Sequence, residues 1–296
     1  MLLLITGSAD GTSDLLISRL GNRAFRFNYD LYNQYAFQFR PDYWKIVSPS
    51  GHAISSDVVS SAFWWKAFNF PIEGEDRLII EEVKYIFREL YQWCRLRGMA
   101  KGNAYDFHNR LGKMNVLDIA SNFFEIPRTL ATFRLAGLDG IRGLEIVAKS
   151  YSSALTEKNA TLMTTAVDPK ALHPHFPWYL QEKISSDSDE TVFVCGQNIF
   201  AYRRDRSGLK GLDWRAEQNF DLNGKEWVKF SLSEAEAQSV KMFCAHIDVN
   251  WGRLDFMRRA GSLVFLEFNA NGQWVFLDYS NNDGLLDCVV DYLAVA

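Results

Sequence analysis

Two stretches near the C-terminus decide the fold of this chain, Gly252-Arg253-Leu254-Asp255-Phe256 and Leu266-Glu267-Phe268-Asn269-Ala270-Asn271-Gly272-Gln273-Trp274. Between them lies the turn-forming cluster Arg259-Ala260-Gly261-Ser262, so the segment predicts a β-hairpin. A register that pairs Asp255 with Glu267 places Arg253 and Asn269 on the same face as both acids, because side chains alternate along a strand with period two. Two carboxylates, one amide and one guanidinium then share one face of a sheet.

The oxygen atoms of Asp255, Glu267 and Asn269 are hard ligands that suit Mg²⁺. Because Mg²⁺ is usually held by one or two protein carboxylates plus substrate phosphates, this set fits a metal bound together with a nucleotide triphosphate. The alternative is a hairpin with a solvated polar face, since polar alternation is the default for an antiparallel strand. The metal interpretation is favoured because the partner residues of the acids on this face are apolar, and the acids interrupt them rather than alternate with Lys: Met257, Leu263 and Phe265.

Length and composition set wide limits on the protein. The chain has 296 residues, 48% of them hydrophobic, which is enough for about two domains or one large one. Its 32 Lys and Arg against 36 Asp and Glu give a net charge of −4, which argues against nucleic-acid binding. Met1–Ile5 is too short for a signal sequence, and no apolar run approaches the roughly 18 residues of a membrane span. We therefore expect a soluble, cytoplasmic protein with no membrane partner.

The cysteines and histidines do not form a recognisable metal or disulfide pattern. Four cysteines are scattered through the chain without a C-x-x-C, so we predict that they are small buried hydrophobes: Cys94, Cys195, Cys244 and Cys288. The pair in His173-Pro174-His175 has no acidic or Cys partner at ligand spacing, and a loop is favoured over a metal site there.

The first hundred residues predict a compact α/β unit. It opens β-α-β, with a strand over residues 2–6, a Gly/Ser/Asp loop, a helix over 14–20 closed by Gly21 and a strand over 24–28. The loop lacks the third glycine of a dinucleotide fingerprint. Further strands are predicted at 43–47 and 58–65, followed by an amphipathic helix over 77–97.

The middle of the chain alternates strands with polar loops. We predict a helix over 113–124 and strands over 126–130, 145–149 and 178–184, then two strands within 191–202 around the turn Gly196-Gln197-Asn198. Lys149 ends its strand at a Ser/Tyr-rich loop, where it suits a phosphate contact as well as it suits solvent. A basic cluster follows, which faces phosphate, an acidic peptide or simply water: Arg203, Arg204, Arg206 and Arg215.

Taken in order, these elements resemble the ATP-grasp superfamily over essentially the whole chain. The matching features are Lys113 in the helix before Pro127-Arg128-Thr129-Leu130, the strand ending on Lys149, the hinge Gln181-Glu182, the hairpin at Gly196, Asp255, and Glu267-Phe268-Asn269 with Asn271-Gly272. The ending Asn269–Trp274 and the triplet Asp213-Trp214-Arg215 are similar to the microviridin-type or graspetide ligases, which install ω-ester or ω-amide crosslinks in ribosomal peptides.

This resemblance implies an α/β (α+β) ATP-grasp fold, in which antiparallel sheets sandwich ATP. An N-terminal β-α-β pre-grasp domain would span residues 1–105, a central domain 106–185 and a C-terminal domain with the metal site 186–296. The implied enzyme phosphorylates a carboxylate with ATP, and a hydroxyl or amine then displaces the phosphate. Phosphoryl transfer requires mainly positioning and electrostatic stabilisation, which fits a chain without a Ser-His-Asp or Cys-His set.

The resemblance also implies roles for individual residues. Adenine would lie against the hinge, read by Gln181, Glu182, Ile184 and the neighbouring backbone. Lys113 and Lys149 would contact the α and β phosphates, and Asp255, Glu267 and Asn269 would hold Mg²⁺. Arg215 and Arg253 would stabilise charge on the transferred phosphoryl group. Resembling enzymes carry Arg where this chain has Thr191, so Arg203 or Arg215 would have to replace that contact.

The expected partner is a ribosomal precursor peptide with a leader and an acidic core. We expect the arginines of the basic cluster, with Trp214 and Trp227, to bind it through bidentate carboxylate contacts and apolar anchors. A homodimer stays open. Two alternatives remain for the activity, namely a glutamate-adding or dipeptide-forming ligase of the same fold and a non-catalytic ATP-grasp-like binding protein.

Overall fold

The computed structural model describes residues 1–67, 71–102, 107–134, 138, 140–151, 164–207, 209, 211–212 and 227–294, without the side chains of residues 108 and 109. Its helices there are α1 (Gly11–Leu20), α2 (Arg77–Leu96), α3 (Phe107–Arg110), α4 (Lys113–Ala120), α5 (Glu234–His246) and α6 (Leu285–Ala294). Its strands there are β1 (Leu2–Thr6), β2 (Ala24–Asn28), β3 (Ala36–Arg40), β4 (Tyr43–Val47), β5 (Ala53–Ser55), β6 (Ser61–Trp64), β7 (Ala100–Lys101), β8 (Thr129–Thr132), β9 (Ile146–Lys149), β10 (Thr165–Val167), β11 (Trp178–Glu182), β12 (Ser188–Cys195), β13 (Asn198–Asp205), β14 (Val228–Lys229), β15 (Trp251–Arg259) and β16 (Ser262–Asn269).

The N-terminal sheet is parallel, with strand order β2-β1-β6-β7. Every residue of β1 is buried, as expected for a parallel strand covered on both faces. The helix after β1 begins at Gly11 rather than at the predicted Asp14, because the Asp10 side chain caps it by accepting a hydrogen bond from the Ser13 N–H at 2.7 Å. The predicted β-α-β opening is therefore confirmed.

Helices cover both faces of this sheet. The amphipathic stripe of α2 packs Phe87 and Leu90 against Phe27 and Trp64 on one face. On the other face α1 packs with α6, which returns from the C-terminal end of the chain, and the Ser61 hydroxyl donates to the Leu293 carbonyl at 2.6 Å. The C-terminal helix therefore shares a core with the N-terminal sheet.

Two predicted boundaries in the N-terminal part change. The strand predicted over 58–65 begins only at Ser61, because a turn closed by the Val58 N–H on the Ser55 carbonyl precedes it. Strand β4 was predicted, but its two neighbours β3 and β5 were not. The three strands form a small antiparallel sheet in the order β3-β4-β5.

Two larger antiparallel sheets form the rest of the molecule, with orders β10-β9-β11-β8 and β14-β13-β12-β15-β16. The predicted helix from Lys113 ends at Ala120 rather than at residue 124, since the Ser121 hydroxyl turns back onto the Asp118 carbonyl at 2.6 Å. The strand after Pro127 begins at Thr129. Helix α5 packs on the second sheet and starts with a capping box formed by Ser233 and Glu236.

The hairpin of β15 and β16 has the predicted register, with Arg253 opposite Asn269 and Asp255 opposite Glu267. A β-bulge then makes Leu266 an extra residue, because Phe256 pairs with Phe265. The extra residue reverses which face of the sheet the odd-numbered side chains of β16 occupy. Leu263 and Phe265 therefore lie in the core instead of continuing the face of the acids. The prediction that they flank the acids on that face was wrong for this reason.

The close approach of β15 to β16 depends on Gly252. Its φ is 134°, and a Cβ there would lie 2.5 Å from Cζ of Phe268. We expect Gly252→Ala to lower the free energy of unfolding by about 2–4 kcal/mol, from backbone strain and overpacking together. Urea denaturation measures the loss, with Gly261→Ala as control, since Gly261 also has positive φ but has nothing within 4 Å. Equal losses in the two variants would contradict the clash.

No helix among the described residues combines the length and apolar character that crossing a bilayer requires.

Candidate functional site

A cleft of about 920 Å³, counted to its open mouth, lies where the two larger antiparallel sheets meet. The β10-β9-β11-β8 sheet contributes Val147, Lys149 and Gln181, and the β14-β13-β12-β15-β16 sheet contributes Thr191, Arg253, Asp255, Met257, Leu266 and Glu267. The cleft is therefore polar and charged at one part of its wall and apolar at another.

The predicted metal ligands come together on this wall. The Asn269 amide nitrogen donates to Oδ2 of Asp255 at 2.8 Å and lies 3.3 Å from Oε1 of Glu267. The hairpin register produces this cluster, because the three side chains occupy facing positions of adjacent strands. The cluster of Asp255, Glu267 and Asn269 is called the oxygen cluster below.

Arg253 and Thr191 orient Asp255. The guanidinium of Arg253 makes a two-pronged contact with it, Nε to Oδ1 at 3.0 Å and Nη2 to Oδ2 at 3.1 Å. The Thr191 hydroxyl donates to Oδ1 at 2.8 Å from the neighbouring strand. The remaining arm of Arg253 donates from Nη1 to the Gln273 carbonyl at 2.8 Å. Thr191 thus holds the carboxylate in place and brings no positive charge.

Glu267 is electrostatically the most perturbed member of the oxygen cluster. Burial alone raises the pKa of its carboxyl, but Lys149, Lys113, the Asn269 amide and Arg253 outweigh burial and lower the pKa to about 2. The group is therefore a carboxylate at neutral pH.

The two predicted phosphate-binding lysines both approach this carboxylate. Lys149 lines the cleft from the end of β9, and Lys113 reaches a small adjoining pocket that Glu267 also lines. Burial lowers the pKa of Lys113, Glu267 raises it and Lys149 lowers it again. Its Nζ donates to the Ser150 carbonyl at 2.9 Å. One carboxylate therefore lies between two ammonium groups from two other elements.

The chemistry of the oxygen cluster fits a magnesium ion that is completed by phosphates. Within the described ranges, no group of three or more His, Cys, Asp or Glu is placed to hold a metal. The oxygen cluster offers only two carboxylates and one amide, which are hard ligands too few to enclose Mg²⁺. A nucleotide phosphate would supply the missing oxygens.

The predicted hinge lies at the end of β11. Gln181 is buried and donates from Nε2 to the Thr129 hydroxyl at 3.1 Å. Both carboxylate oxygens of Glu182 are engaged, Oε1 by Arg259 Nη2 at 2.7 Å and Oε2 by the Arg128 N–H at 3.2 Å. The expectation that this carboxylate reads an adenine edge conflicts with these contacts. Among the described residues, nothing accepts a hydrogen bond from the Ile184 N–H.

Among the described members of the basic cluster Arg203 is exposed, whereas Arg204 and Arg206 are largely buried and do not form the exposed patch that we expected. Arg206 forms an ion pair with Asp189 at 2.6 Å with both side chains largely buried, and Arg204 is only 4% exposed. Arg203 pairs with buried Glu190 through Nε at 2.8 Å. Because Glu190 alternates with Thr191 along β12, Arg203 does not replace the missing arginine at Thr191. Arg215 and Trp214 lie outside the described residues.

Sequence patterns missed part of the apolar wall of the cleft. Met257 and Trp227, which the sequence had singled out as apolar residues, line it beside the oxygen cluster together with Leu266 and Phe276, which it had not. Leu266 reaches the cleft because it is the extra residue of the bulge, and no local pattern marks that position. The only available signal was the interruption of strict alternation at Phe265-Leu266.

Lys149→Ala is expected to weaken binding of Mg²⁺ and ADP about tenfold, the loss of one charge-assisted phosphate contact. The melting temperature should change little, because a Lys at a strand end contributes little packing. Calorimetric titration measures the affinity, with the exposed Lys170→Ala as control. An affinity equal to that of the unmodified protein would assign Lys149 to solvent.

Sequence and structure comparisons with known proteins identify the fold. No family model matches the sequence, and no curated protein matches it significantly. Solved structures do. The RiPP-associated ATP-grasp ligase of Chryseobacterium gregarium, in complex with ADP and a leader and core peptide, is 20% identical, with 99% of this chain and 96% of that chain covered and a TM-score of 0.82.

Two further structures agree with it. The macrocyclase MdnC of Microcystis aeruginosa, bound with precursor peptide MdnA, is 18% identical, with 99% and 98% of the two chains covered and a TM-score of 0.79. The ATP-grasp ligase PsnB, complexed with a phosphomimetic variant of its minimal precursor, Mg and ADP, is 13% identical, with 99% and 97% covered and a TM-score of 0.73. The chain therefore has the ATP-grasp fold, which confirms the predicted fold class.

Proposed function

We propose that this chain is an ATP-dependent carboxylate–hydroxyl or carboxylate–amine ligase that crosslinks side chains of a ribosomally made precursor peptide. The observation that carries the proposal is the oxygen cluster with Arg253 on the wall of a cleft between two antiparallel sheets. Acidic oxygens for a metal, cations for phosphates and apolar surface for a base occur there together.

The proposed reaction has two balanced steps. ATP supplies the phosphoryl group: a substrate carboxylate oxygen bonds to the γ-phosphorus, the bond to the β-phosphate oxygen breaks, and ADP leaves. A hydroxyl or amine of the peptide then attacks the acyl carbon of the acyl phosphate. The acyl–oxygen bond to phosphate breaks, and the proton of the nucleophile leaves with inorganic phosphate. The product is an ester or an amide, one water lighter than the two original groups.

The residues divide these tasks by chemistry. In this proposal Asp255, Glu267 and Asn269 hold Mg²⁺, which neutralises phosphate charge. Lys113 and Lys149 bind phosphates as point charges, and Arg253 stabilises the charge of the transferred group. Arg215 is proposed for the same charge-stabilising role, and only the resemblance to ATP-grasp ligases supports it.

The nucleotide base would use the hinge and the apolar wall. Because Arg259 and Arg128 already engage the Glu182 carboxylate, we assign the reading of adenine to main-chain groups near Ile184, with Gln181 behind them. Met257 and Leu266 supply the flat apolar surface that a purine needs.

The substrate class rests on the solved structures of the same fold, which hold precursor, leader or core peptides. The proposal also keeps the division at residues 1–105, 106–185 and 186–296. It places the reaction in the cytoplasm, which the four free cysteines suit because that compartment keeps thiols reduced.

Two rival functions share the same cleft. A glutamate-adding or dipeptide-forming ligase would differ only in the acceptor site, and a non-catalytic ATP-grasp-like protein would bind nucleotide without turnover. A short reading frame beside the gene with repeated Thr or Ser and Asp or Glu favours peptide crosslinking.

The deciding experiment is incubation with ATP, Mg²⁺ and the peptide encoded beside the gene, followed by mass spectrometry. We expect successive losses of one water per crosslink together with ADP release. Intact peptide with ADP release on free glutamate would favour the first rival, and absence of any ATP turnover the second.

A further inference from the structure

One cation near the cleft has no part in the proposed phosphate and metal contacts. Lys66 follows β6 at the carboxyl edge of the parallel sheet, the edge at which open α/β sheets bind ligands. Its side chain is partly buried, and its Nζ lies 5.4 Å from the ring centre of buried Trp65. Within the part of the chain that the structure describes, its ammonium makes no hydrogen bond and no ion pair.

The backbone at Lys66 is strained. Its φ is +51°, in the left-handed region that costs a residue with a Cβ roughly 1–2 kcal/mol. Asn or Gly would adopt this conformation at lower cost, so a lysine here is a poor choice for the fold alone. Strain of this kind is found at sites where the side chain has a task.

The surroundings of Lys66 connect it to the reacting end of the cleft. Arg253 and Asp10 are the charged groups that act on it, and burial lowers the pKa of the ammonium, with Asp10 raising it and Arg253 lowering it. Oδ1 of Asp10 accepts from both the N–H and the hydroxyl of Ser13, each at 2.7 Å, as the N-cap of α1. The loop that carries Asp10 is tied to Arg253 through Gln273, whose side-chain oxygen accepts from the Thr12 hydroxyl at 3.1 Å.

Geometry also brings the two cations together from different elements, because the ring of Trp65, which precedes Lys66, lies 6.3 Å from that of Trp251 on the strand of Arg253. On the N-terminal side, one oxygen of the described carboxylate that acts on Lys66 already accepts two hydrogen bonds. Asp255 likewise holds Arg253 from the cleft side. A bound anion between Lys66 and Arg253 would satisfy the ammonium and relieve the repulsion between the two positive groups. The proposed reaction brings two anions to this place: the transferred phosphoryl group, which is assigned to Arg253, and the substrate carboxylate, which is left for Lys66.

We propose that Lys66 is a binding residue for the carboxylate of the acidic peptide side chain that is activated, holding it on the N-terminal side of Arg253. This inference rests on the proposed function. Lys66 faces an anion at each stage of the reaction, because the acyl phosphate and the released phosphate are also negatively charged. The acidic core of the peptide would therefore be selected by the N-terminal sheet, and the nucleotide by the other two sheets.

The kinetic test uses Lys66→Gly, which removes the ammonium and suits φ of +51°, so the fold should be as stable as before or more stable. With ATP, Mg²⁺ and the gene-adjacent peptide, we expect the peptide KM to rise at least about tenfold and the ATP KM to rise less than twofold. Lys66→Arg should recover most of the peptide affinity. Lys45→Ala, an exposed lysine on β4, is the control. A peptide KM within twofold of the unmodified value would overturn the proposal.

A second measurement does not depend on any peptide. Lysine acetylation by an amine-reactive ester is followed residue by residue by mass spectrometry, with Mg²⁺ and ADP, and with or without inorganic phosphate at constant ionic strength. We expect phosphate to slow labelling of Lys66 severalfold and to leave Lys45 unchanged. Equal labelling of Lys66 in both conditions would overturn the anion site. If the protein modified no peptide, the proposed function would be wrong. The labelling result would still show whether Lys66 binds an anion.

Discussion

Glu267→Gln is expected to reduce ATP turnover by about 10³-fold while the protein still unfolds in one cooperative transition. Glutamine has nearly the same shape, so the wall of the small pocket that Glu267 and Tyr179 both line is preserved. What disappears is the negative charge that faces Lys113, Lys149 and Arg253. With one of its two carboxylates neutralised, the oxygen cluster would hold Mg²⁺ less well beside three positive groups, and the metal would then supply less charge neutralisation to the phosphates. Asp255→Asn should act in the same direction.

ADP release at saturating Mg²⁺ measures this effect, and thermal unfolding measures the integrity of the fold. The matched control is Glu89→Gln, which makes the same chemical change on the exposed face of α2. Unchanged turnover in both Glu267→Gln and Asp255→Asn would remove the metal assignment.

The depressed pKa of Glu267 also fixes the sign of its pH dependence. Its folded pKa of about 2 lies below that of an unfolded glutamate, so the group stabilises the fold above the unfolded pKa. That contribution is lost as the pH falls toward 2. Between pH 5 and 8 the carboxylate stays ionised, so a change in turnover across that window must come from another group.

The hairpin of β15 and β16 shows how far a sequence alone predicts a site. The cluster Ala260-Gly261 fixes the turn, and the turn fixes the register as far as Phe256 opposite Phe265. Continued without interruption, that register would pair Asp255 with Leu266, and it is the bulge at Leu266 that brings Asp255 opposite Glu267. The alternation of side chains along each strand was predictable from local sequence, whereas the bulge lies where Phe265 packs against Phe124, which is distant along the chain.

The charged residues outside the hairpin were harder to interpret for a similar reason. Arg203 and Arg206 read as a surface cluster because their acidic partners, Glu190 and Asp189, lie on the preceding strand. Only the pairing of β12 with β13 brings them together. Glu182 likewise pairs with Arg259, which is distant along the chain, so the sequence did not reveal this contact.

Helices α5 and α6 were absent from the sequence prediction. Helix α6 buries Leu285, Leu286, Val289, Val290 and Leu293 against the core that it shares with the N-terminal sheet, and it leaves Asp287 and Asp291 exposed. That helical period was readable from the sequence, but its packing partner, almost the whole chain away, was not. Helix α5 also carried a readable signal, in the capping box Ser233–Glu236.

Arg253→Lys is expected to reduce catalysis and Arg258→Lys to reduce stability, although the two arginines lie on the same strand. The guanidinium of Arg253 spans Asp255 and the Gln273 carbonyl, at the part of the cleft where phosphoryl charge develops. A lysine there keeps one charge but cannot make the two-pronged contact, so we expect kcat for ATP turnover to fall about 10²–10³-fold. Arg258 makes the equivalent contacts with Glu190, both at 2.9 Å, and with Glu236 at 2.7 Å.

These carboxylates belong to the fold, because Glu190 is fully buried and Glu236 closes the cap of α5. Arg258→Lys leaves Glu190 with fewer donors, which should lower the free energy of unfolding by about 1–3 kcal/mol and leave kcat within twofold. Urea denaturation and ADP release on both variants separate the two roles. A fall in kcat of equal size in both variants would contradict the role proposed for Arg253. The loss would then follow from the Arg-to-Lys exchange itself and not from the position of Arg253 beside the oxygen cluster, and Arg253 would act only by stabilising the strand.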